Sequence, residues 1–368
     1  MTDAAILARA PGKLFIAGEY AVVTPGEPAV LVAVDRYLTV RLTESVGVGS
    51  IHSPEYGQVP LQWTRSGDGV TIDRDHHPYD YVLAAITVAE RLRAELGLAP
   101  RFFDLRIDSG LDDVTGRKFG LGSSAAVTVA TVQAIDEFYG FGLTRLERYK
   151  LALLATIEVA PTASGSDVAA STFGGWIGYR APDRRVLRAR SADGAIAALL
   201  RADDAWAGLE IVRLSPPDGL RLLVGWTGSP ASTERLVDEV MRHVRAGEVD
   251  LPAFLLDSRA CVSELREALA HGDDHAALAA LRRSRRLLQR LGRQAGVGIE
   301  TGRLSALCDT AEAVGAAGKP SGAGGGDCGI VLAPRDADIA ELLRAWEAHD
   351  IRHLTISVHP SEGAAHVR

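Results

Sequence analysis

The sequence predicts an α+β protein built as two domains, on three observations. Segments of strand and helix character are interspersed without a strict strand–helix–strand repeat, which favours α+β over a doubly wound sheet. The length of 368 residues suits two domains of ordinary size. Residues 181–207 are mixed, rich in Arg, Ala and Asp, and mark a passage between domains spanning 1–205 and 206–368.

The elements follow in order. Leu7–Ala10 and Leu14–Ile16 read as strands separated by the Pro11-Gly12 break. The β-branched runs Ala29–Val34 and Tyr37–Leu42 read as two further strands. Residues 47–69, rich in Gly, Ser and Pro, read as hairpins and loops. Val82, Ala85, Ile86, Ala89, Leu92 and Leu96 recur at helical spacing over 81–96, and Gly97 stops that helix. Phe102–Ile107 alternates as a strand. Val129, Val132, Ile135 and Tyr139 share one face of a helix over 123–139 that ends at Gly140. A second helix covers 145–159, and a glycine-rich strand covers 174–179. In the second half, strands are expected at 220–226, 329–332 and 354–358, and helices at 233–245, 251–269, 276–291, 304–315 and 336–349.

Composition narrows the function classes. With 47% hydrophobic and 24% charged residues a packed core is expected. Forty Lys plus Arg against 47 Asp plus Glu, a net charge of −7, argues against a nucleic-acid partner. A few local cations still suffice for a small anionic substrate. Cys261, Cys308 and Cys328 are too few for a disulfide framework and point to a reducing, cytoplasmic setting. No basic stretch precedes an apolar run near Met1, so no signal peptide is expected, and no segment reaches membrane-spanning length. Charge and pI leave monomer and homodimer both open.

Three distant segments carry the chemistry: 10–20, 118–126 and 319–329. Each joins small residues, which let backbone N–H groups approach an anion, to a lysine that neutralises it. In the middle segment Gly120 and Gly122 permit a tight turn, and Ser123 and Ser124 open a helix. A helix start offers unpaired N–H groups and partial positive charge to a phosphate. Lys13 and Lys118 stand in or beside glycine turns, where a compact point charge reaches phosphate. Five glycines in the eight residues 322–329 are costly in chain entropy. That cost is tolerated where backbone crowds a substrate or a neighbouring strand. Asp167, inside Ser164-Gly165-Ser166-Asp167, reads as a helix cap or as an active-site carboxylate paired with a lysine or metal.

Rival readings fit less well. The glycine pattern at 120–125 lacks the strand before it and the acidic residue about 20 positions on that a dinucleotide fold requires. No Gly-Lys-Ser or Gly-Lys-Thr occurs, so no Walker A loop is present. His76 and His77 have no companions at metal spacing. Arg282, Arg283, Arg285, Arg286, Arg290 and Arg293 form a basic helix stretch, mostly solvated or ion-paired, with one or two free to face an anion. Cys328 reads as packing rather than as a nucleophile.

Taken together, these segments resemble the GHMP small-molecule kinases, and the family's three motifs occur in order along the whole chain. The nearer match is to the branch that phosphorylates 5-phosphomevalonate. It is carried by 18–23, 118–124, 164–175 and 225–233, with Tyr20 where mevalonate-type members carry His. The resemblance implies a ribosomal-protein-S5-like N-terminal domain, which binds ATP, and a ferredoxin-like C-terminal domain. It implies ATP over Gly120, Leu121, Gly122, Ser123, Ser124 and Ala125, and catalytic positions at Lys13, Lys118 and Asp167. Acceptor contacts are implied at Lys13, Gly18, Glu19, Tyr20, Ser164, Gly165, Ser229, Ser232, Thr233, Gly322, Gly324 and Gly325. Mg2+ is implied at Ser124, with Glu158 the nearest acidic residue upstream of the Asp167 segment. The alternative within the family is an alcohol acceptor such as mevalonate.

Overall fold

The computed structural model describes residues 5–66, 69–73, 77–113, 115–229, 231–363 and 366–367. His76 and Pro230 therefore lie outside the described residues. Strands β1 (Ile6–Ala17) and β2 (Pro28–Ser45) pair antiparallel over most of their length. Pro11-Gly12 does not split β1; it is absorbed as a register shift between those two residues. The two strands expected at 29–34 and 37–42 are likewise one.

β3 (Gly49–His52), β4 (Leu61–Ser66) and β5 (Gly69–Ile72) make short hairpins, followed by α1 (Asp80–Glu95) and β6 (Phe102–Ser109). Next come α2 (Ser123–Tyr139), α3 (Arg145–Val159), α4 (Ser166–Phe173) and β7 (Trp176–Arg180). α3 starts on a capping box: the Thr144 hydroxyl accepts from Glu147 N–H at 3.2 Å, and the Glu147 carboxylate accepts from Thr144 N–H at 2.9 Å. α5 (Arg184–Asp193), α6 (Ile196–Arg201) and β8 (Glu210–Leu214) complete this half. The large sheet runs in the order β8-β7-β2-β6-β3-β4-β5, with β1 also on β2. Its pairs are antiparallel except β3 with β6. α2 and α4 pack on β1 and β2, and α1 and α3 pack against α2.

β9 (Leu220–Trp226), α7 (Thr233–Arg245), α8 (Leu251–His271), α9 (Asp274–Ala295), α10 (Gly302–Ala313), β10 (Ala317–Pro320), β11 (Cys328–Pro334), α11 (Ile339–Ala348) and β12 (Arg352–Leu354) form the second half. Here the sheet order is β10-β11-β9-β12. The strand expected at 354–358 is displaced. From Thr355 onward the chain leaves the small sheet and lies along β2, where Asp35 N–H donates to Ser357 O and His359 N–H to Ala33 O, both at 2.9 Å. Its last described strand, β13 (His366–Val367), pairs with β8 at the edge of the large sheet. The large sheet thus extends past residue 205, the boundary expected from composition, and takes in a segment from beyond the second half.

The principal core is continuous between the halves. Leu14, Leu31 and Ile135 belong to the same buried cluster as Val224, Leu265, Leu281 and Ile330. A second cluster joins Tyr20 and Ala21 to residues of α7, α8 and α9. This seam positions the site.

Candidate active site

A cleft of about 520 Å³ opens between the halves. Its walls come from β1, the turn before α2, the start of α4, the start of α7 and the loop between β10 and β11. Of the residues expected from sequence, Lys13, Glu19, Tyr20, Lys118, Gly120, Gly122, Ser123, Ser124, Ala125, Ser164, Gly165, Asp167, Ser232, Thr233 and Gly322 all line it.

Lys13 is fixed twice. Its N–H donates to Leu121 O at 2.8 Å, which ties β1 to the glycine turn and gives Leu121 a backbone role under the cleft. Its Nζ stands 3.4 Å from Asp167 Oδ2, with the side chain 7% exposed. The lysine stem passes directly over Gly122, where a Cβ would stand 2.7 Å from Lys13 Cε and where φ is +81°. Only glycine fits there.

Gly122 is also the N-cap of α2, and no side chain caps that helix. The first intrahelical bond is Ala126 N–H to Gly122 O, so the N–H groups of Ser123, Ser124 and Ala125 have no acceptor inside the helix. All three residues face the cleft. The arrangement is chemically suited to cradle a phosphate at the positive end of a 17-residue helix. Lys118 lies at its rim, exposed and without a salt bridge among the described residues.

Asp167 sits in the first turn of α4, and its Oδ1 accepts from the Ser166 hydroxyl at 3.3 Å. Of the two sequence readings, the helix cap does not hold, because Gly165 is the N-cap of α4 and no side chain caps that helix; the pairing with a lysine does. Ser123, Ser124 and Asp167 offer oxygen donors only, the set that suits Mg2+ shared with nucleotide phosphates. Among the described residues no three His, Cys, Asp or Glu cluster as a metal cage. Glu158 is not brought to the cleft. It is exposed on α3, whereas Thr156 and Ala160 of the same segment face inward.

The glycine loop is reached through buried contacts. Lys319, 0% exposed, pairs with Glu19, 3% exposed, and also donates to Pro320 O at 2.6 Å. The Tyr20 hydroxyl donates to Ala323 O at 2.7 Å, and Phe15 N–H donates to Ser321 Oγ at 2.8 Å. Burial, with Glu19 nearby, pushes the Tyr20 phenol up, so it stays a neutral donor.

Besides Leu121 and Glu158, four expected residues do not line the cleft. Gly324 packs on Ile299 and Gly325 on Leu236, so these two glycines serve close packing of backbone on protein. Gly18 is crowded by Pro28 and Ala29. Ser229 is exposed, and its carbonyl accepts from Asp327 N–H. The arginines of α9 also stay out of the cleft. Arg285 is buried and held by Glu300 at 2.8 Å, Asp309 at 2.6 Å and Glu312 at 3.0 Å. Arg283 and Arg290 pair with Glu264 and Asp257, and Arg282 donates to the carbonyls of Gly315 and Ala316. Cys328 is packing, as expected: it is buried, donates from Sγ to Phe119 O at 2.9 Å, and burial raises its thiol.

Sequence reading missed three charged or polar residues here. Tyr81 on α1 donates to Glu234 on α7 at 2.9 Å, and both line the cleft. Burial and that carboxylate push the Tyr81 phenol up. Asp327 stands inside a motif read for its glycines and for Lys319, and the lysine is buried on Glu19 rather than turned to the cleft, so it does not neutralise an anion there. A charge set within such a glycine run is the signal that could have found Asp327.

A helix start suited to phosphate, two lysines and a paired aspartate lie between two α+β halves, the chemistry a small-molecule kinase requires. Residues 80–175 match the model of the GHMP kinases N terminal domain, and residues 265–351 match that of the GHMP kinases C terminal region. The chain belongs to this family of ATP-dependent kinases. More particularly, it is 44% identical over 367 residues to phosphomevalonate kinase of Streptomyces sp. (strain CL190), covering 96% of each chain. Among solved structures, phosphomevalonate kinase of Streptococcus pneumoniae, in complex with phosphomevalonate and AMPPNP, superposes with a TM-score of 0.84 at 27% identity. That match covers 96% of this chain and 99% of the other. A Listeria innocua protein superposes with a TM-score of 0.90 at 34% identity, covering 98% of this chain and 99% of that one.

Proposed function

We propose that the cleft transfers the γ-phosphoryl group of ATP to the phosphate of 5-phosphomevalonate, yielding 5-diphosphomevalonate and ADP. The observation that carries this reading is the convergence of Lys13, Lys118 and the uncapped start of α2 on one cleft shared by both halves. The near-full-length relation to phosphomevalonate kinase supports the choice of acceptor.

Phosphoryl transfer asks a protein for positioning and charge neutralisation. Two anions must meet, and the protein offsets their repulsion with Lys13, Lys118 and the backbone donors of Ser123, Ser124 and Ala125. Mg2+ accompanying ATP would be held by the Ser123 or Ser124 hydroxyl and Asp167, and it supplies charge neutralisation at the phosphate oxygens. A phosphate monoester loses its second proton near pH ~6, so at neutral pH the acceptor is already a nucleophilic anion. Asp167 then orients Lys13 and the metal and need not remove a proton. The acceptor is expected to contact Tyr20, Ser164, Ser232, Thr233 and the Gly322 turn.

ADP release measured with 5-phosphomevalonate and with mevalonate tests the reading directly: turnover is expected with the phosphate acceptor. Turnover with mevalonate alone would replace it with an alcohol kinase. In that event the pH–rate profile of Asp167→Asn would lose the limb set by its carboxylate, since an alcohol requires a base. Lys118→Ala is expected to lower kcat by about 10²–10³-fold. Its melting temperature should stay near wild type, because the side chain is exposed and makes no salt bridge among the described residues.

A further inference from the structure

We propose that Asp327 is a positioning residue for the phosphoryl acceptor, acting by fixing the 227–231 loop, and with it the start of α7, against the phosphate cradle. Neither the motif reading nor the roles assigned above give this side chain a task.

Its geometry is unusual in three respects. Asp327 has φ +49°, and among the described residues only Tyr20 and Asp350 share a positive φ without being glycine. Backbone held in that region is costly and persists where the surroundings over-determine it. Tyr20 and Asp327 both line the cleft. Second, every polar group of Asp327 with a hydrogen-bond partner meets the same loop. Its N–H donates to Ser229 O at 2.8 Å, and its carbonyl accepts from Thr227 N–H at 2.9 Å and the Thr227 hydroxyl at 3.1 Å. Its Oδ1 accepts from Ala231 N–H at 3.1 Å. Third, the carboxylate lies close against the cradle: a Cβ at Gly120 would stand 2.6 Å from Asp327 Cγ and 2.8 Å from Oδ2.

Ala231 is the residue before Ser232, which caps α7 by accepting from Arg235 N–H at 3.3 Å. Ser232, Thr233 and Glu234 form the cleft wall opposite the cradle. Of the bonds that hold this loop to Asp327, the one from the carboxylate to Ala231 lies next to the Ser232 cap, and through it the side chain bears on how far that wall stands from Gly120. The carboxylate also faces Lys13 and Lys118, whose charges act on it. A cleft built for two anions gains nothing from a third negative charge, so the group is there for the acceptor oxygen it presents to Ala231.

The inference rests on the kinase reading of the cleft. Three variants of the full chain separate its parts, each assayed by ADP release with the acceptor that wild type uses. Asp327→Gly removes the carboxylate without straining the positive φ. Asp327→Glu keeps the charge but moves it off Ala231 by one methylene. Asp327→Asn keeps the acceptor oxygen and the shape, and tolerates the backbone conformation. The expected result is a rise in acceptor KM of about tenfold for Gly and for Glu, with ATP KM within about twofold, and both constants near wild type for Asn. An unchanged acceptor KM in Gly and Glu overturns the inference, as does an equal rise in ATP KM, or an Asn variant as impaired as Gly. Should the Gly variant fail to fold, the Glu and Asn pair still decides between oxygen and charge. A wild type that releases no ADP with any acceptor overturns the kinase reading itself, and this inference with it.

Discussion

At Lys13 the backbone and the side chain are held by different partners: Leu121 O takes the N–H, and Asp167 takes the ammonium. Gly122 leaves room for the stem between them. Gly122→Ala should therefore displace the ammonium, and a displacement of about 1 Å lowers kcat by about 100-fold. Single-turnover measurement at saturating substrates checks this. Asp327 makes a prediction about pH. Burial raises its carboxyl above the usual range, against the opposing pull of Lys13 and Lys118. In the fold its proton is held more tightly than in the unfolded chain, so its ionised form is the less favourable one there. The stability this group contributes is present at acid pH and is lost as pH rises through the raised value. Asp327→Asn, which resembles the protonated acid, should melt higher than wild type at pH 7. The difference should close as pH falls toward the free-carboxyl range near ~3.9. A calorimetric pH series measures it.

Among the elements, α7 connects stability to the site most directly. Its N-cap, Ser232, both satisfies Arg235 N–H and lines the cleft. Ser232→Ala should cost about 1 kcal/mol of stability and raise acceptor KM, read by a denaturant melt and by kinetics on the same preparation. This helix was legible in the sequence, as were α2 and α3, because apolar spacing and a polar or glycine boundary agree at their ends. What was illegible depended on distant partners. The β-branched run Thr355–Val358 has every local mark of a strand, yet its bonds go to Asp35 and Ala33 rather than to the small sheet. Gly322, Gly324 and Gly325 look alike in a sequence, but one faces the cleft and two crowd Ile299 and Leu236. Glu158 is near the site along the chain, but helical rotation turns it away while Thr156 and Ala160 point in. Distance in sequence ranked it above residues that period would have preferred.

Across the whole molecule, the two halves are joined by a core that crosses between them and by the Lys319–Glu19 pair, 300 residues apart. Both charges are buried, so removing one strands the other. Lys319→Met should destabilise the protein by about 3–5 kcal/mol, and pairing it with Glu19→Gln should restore part of that. Urea unfolding followed at tryptophan and by far-ultraviolet dichroism would give the values. The shared core predicts that both signals fall in one transition. The convergence at this seam was readable only as an expectation drawn from the three motifs, since no local signal reports a pair so far apart. The tail along β2 carries a consequence for biosynthesis. Residues 355–363 and 366–367 reach the large sheet only after the entire second half has been translated. At roughly 5–20 residues per second, the first half waits several seconds or more on the ribosome with β8 uncovered. A nascent chain halted before residue 355 should therefore be more open to proteolysis than the released protein, and more dependent on a holding chaperone.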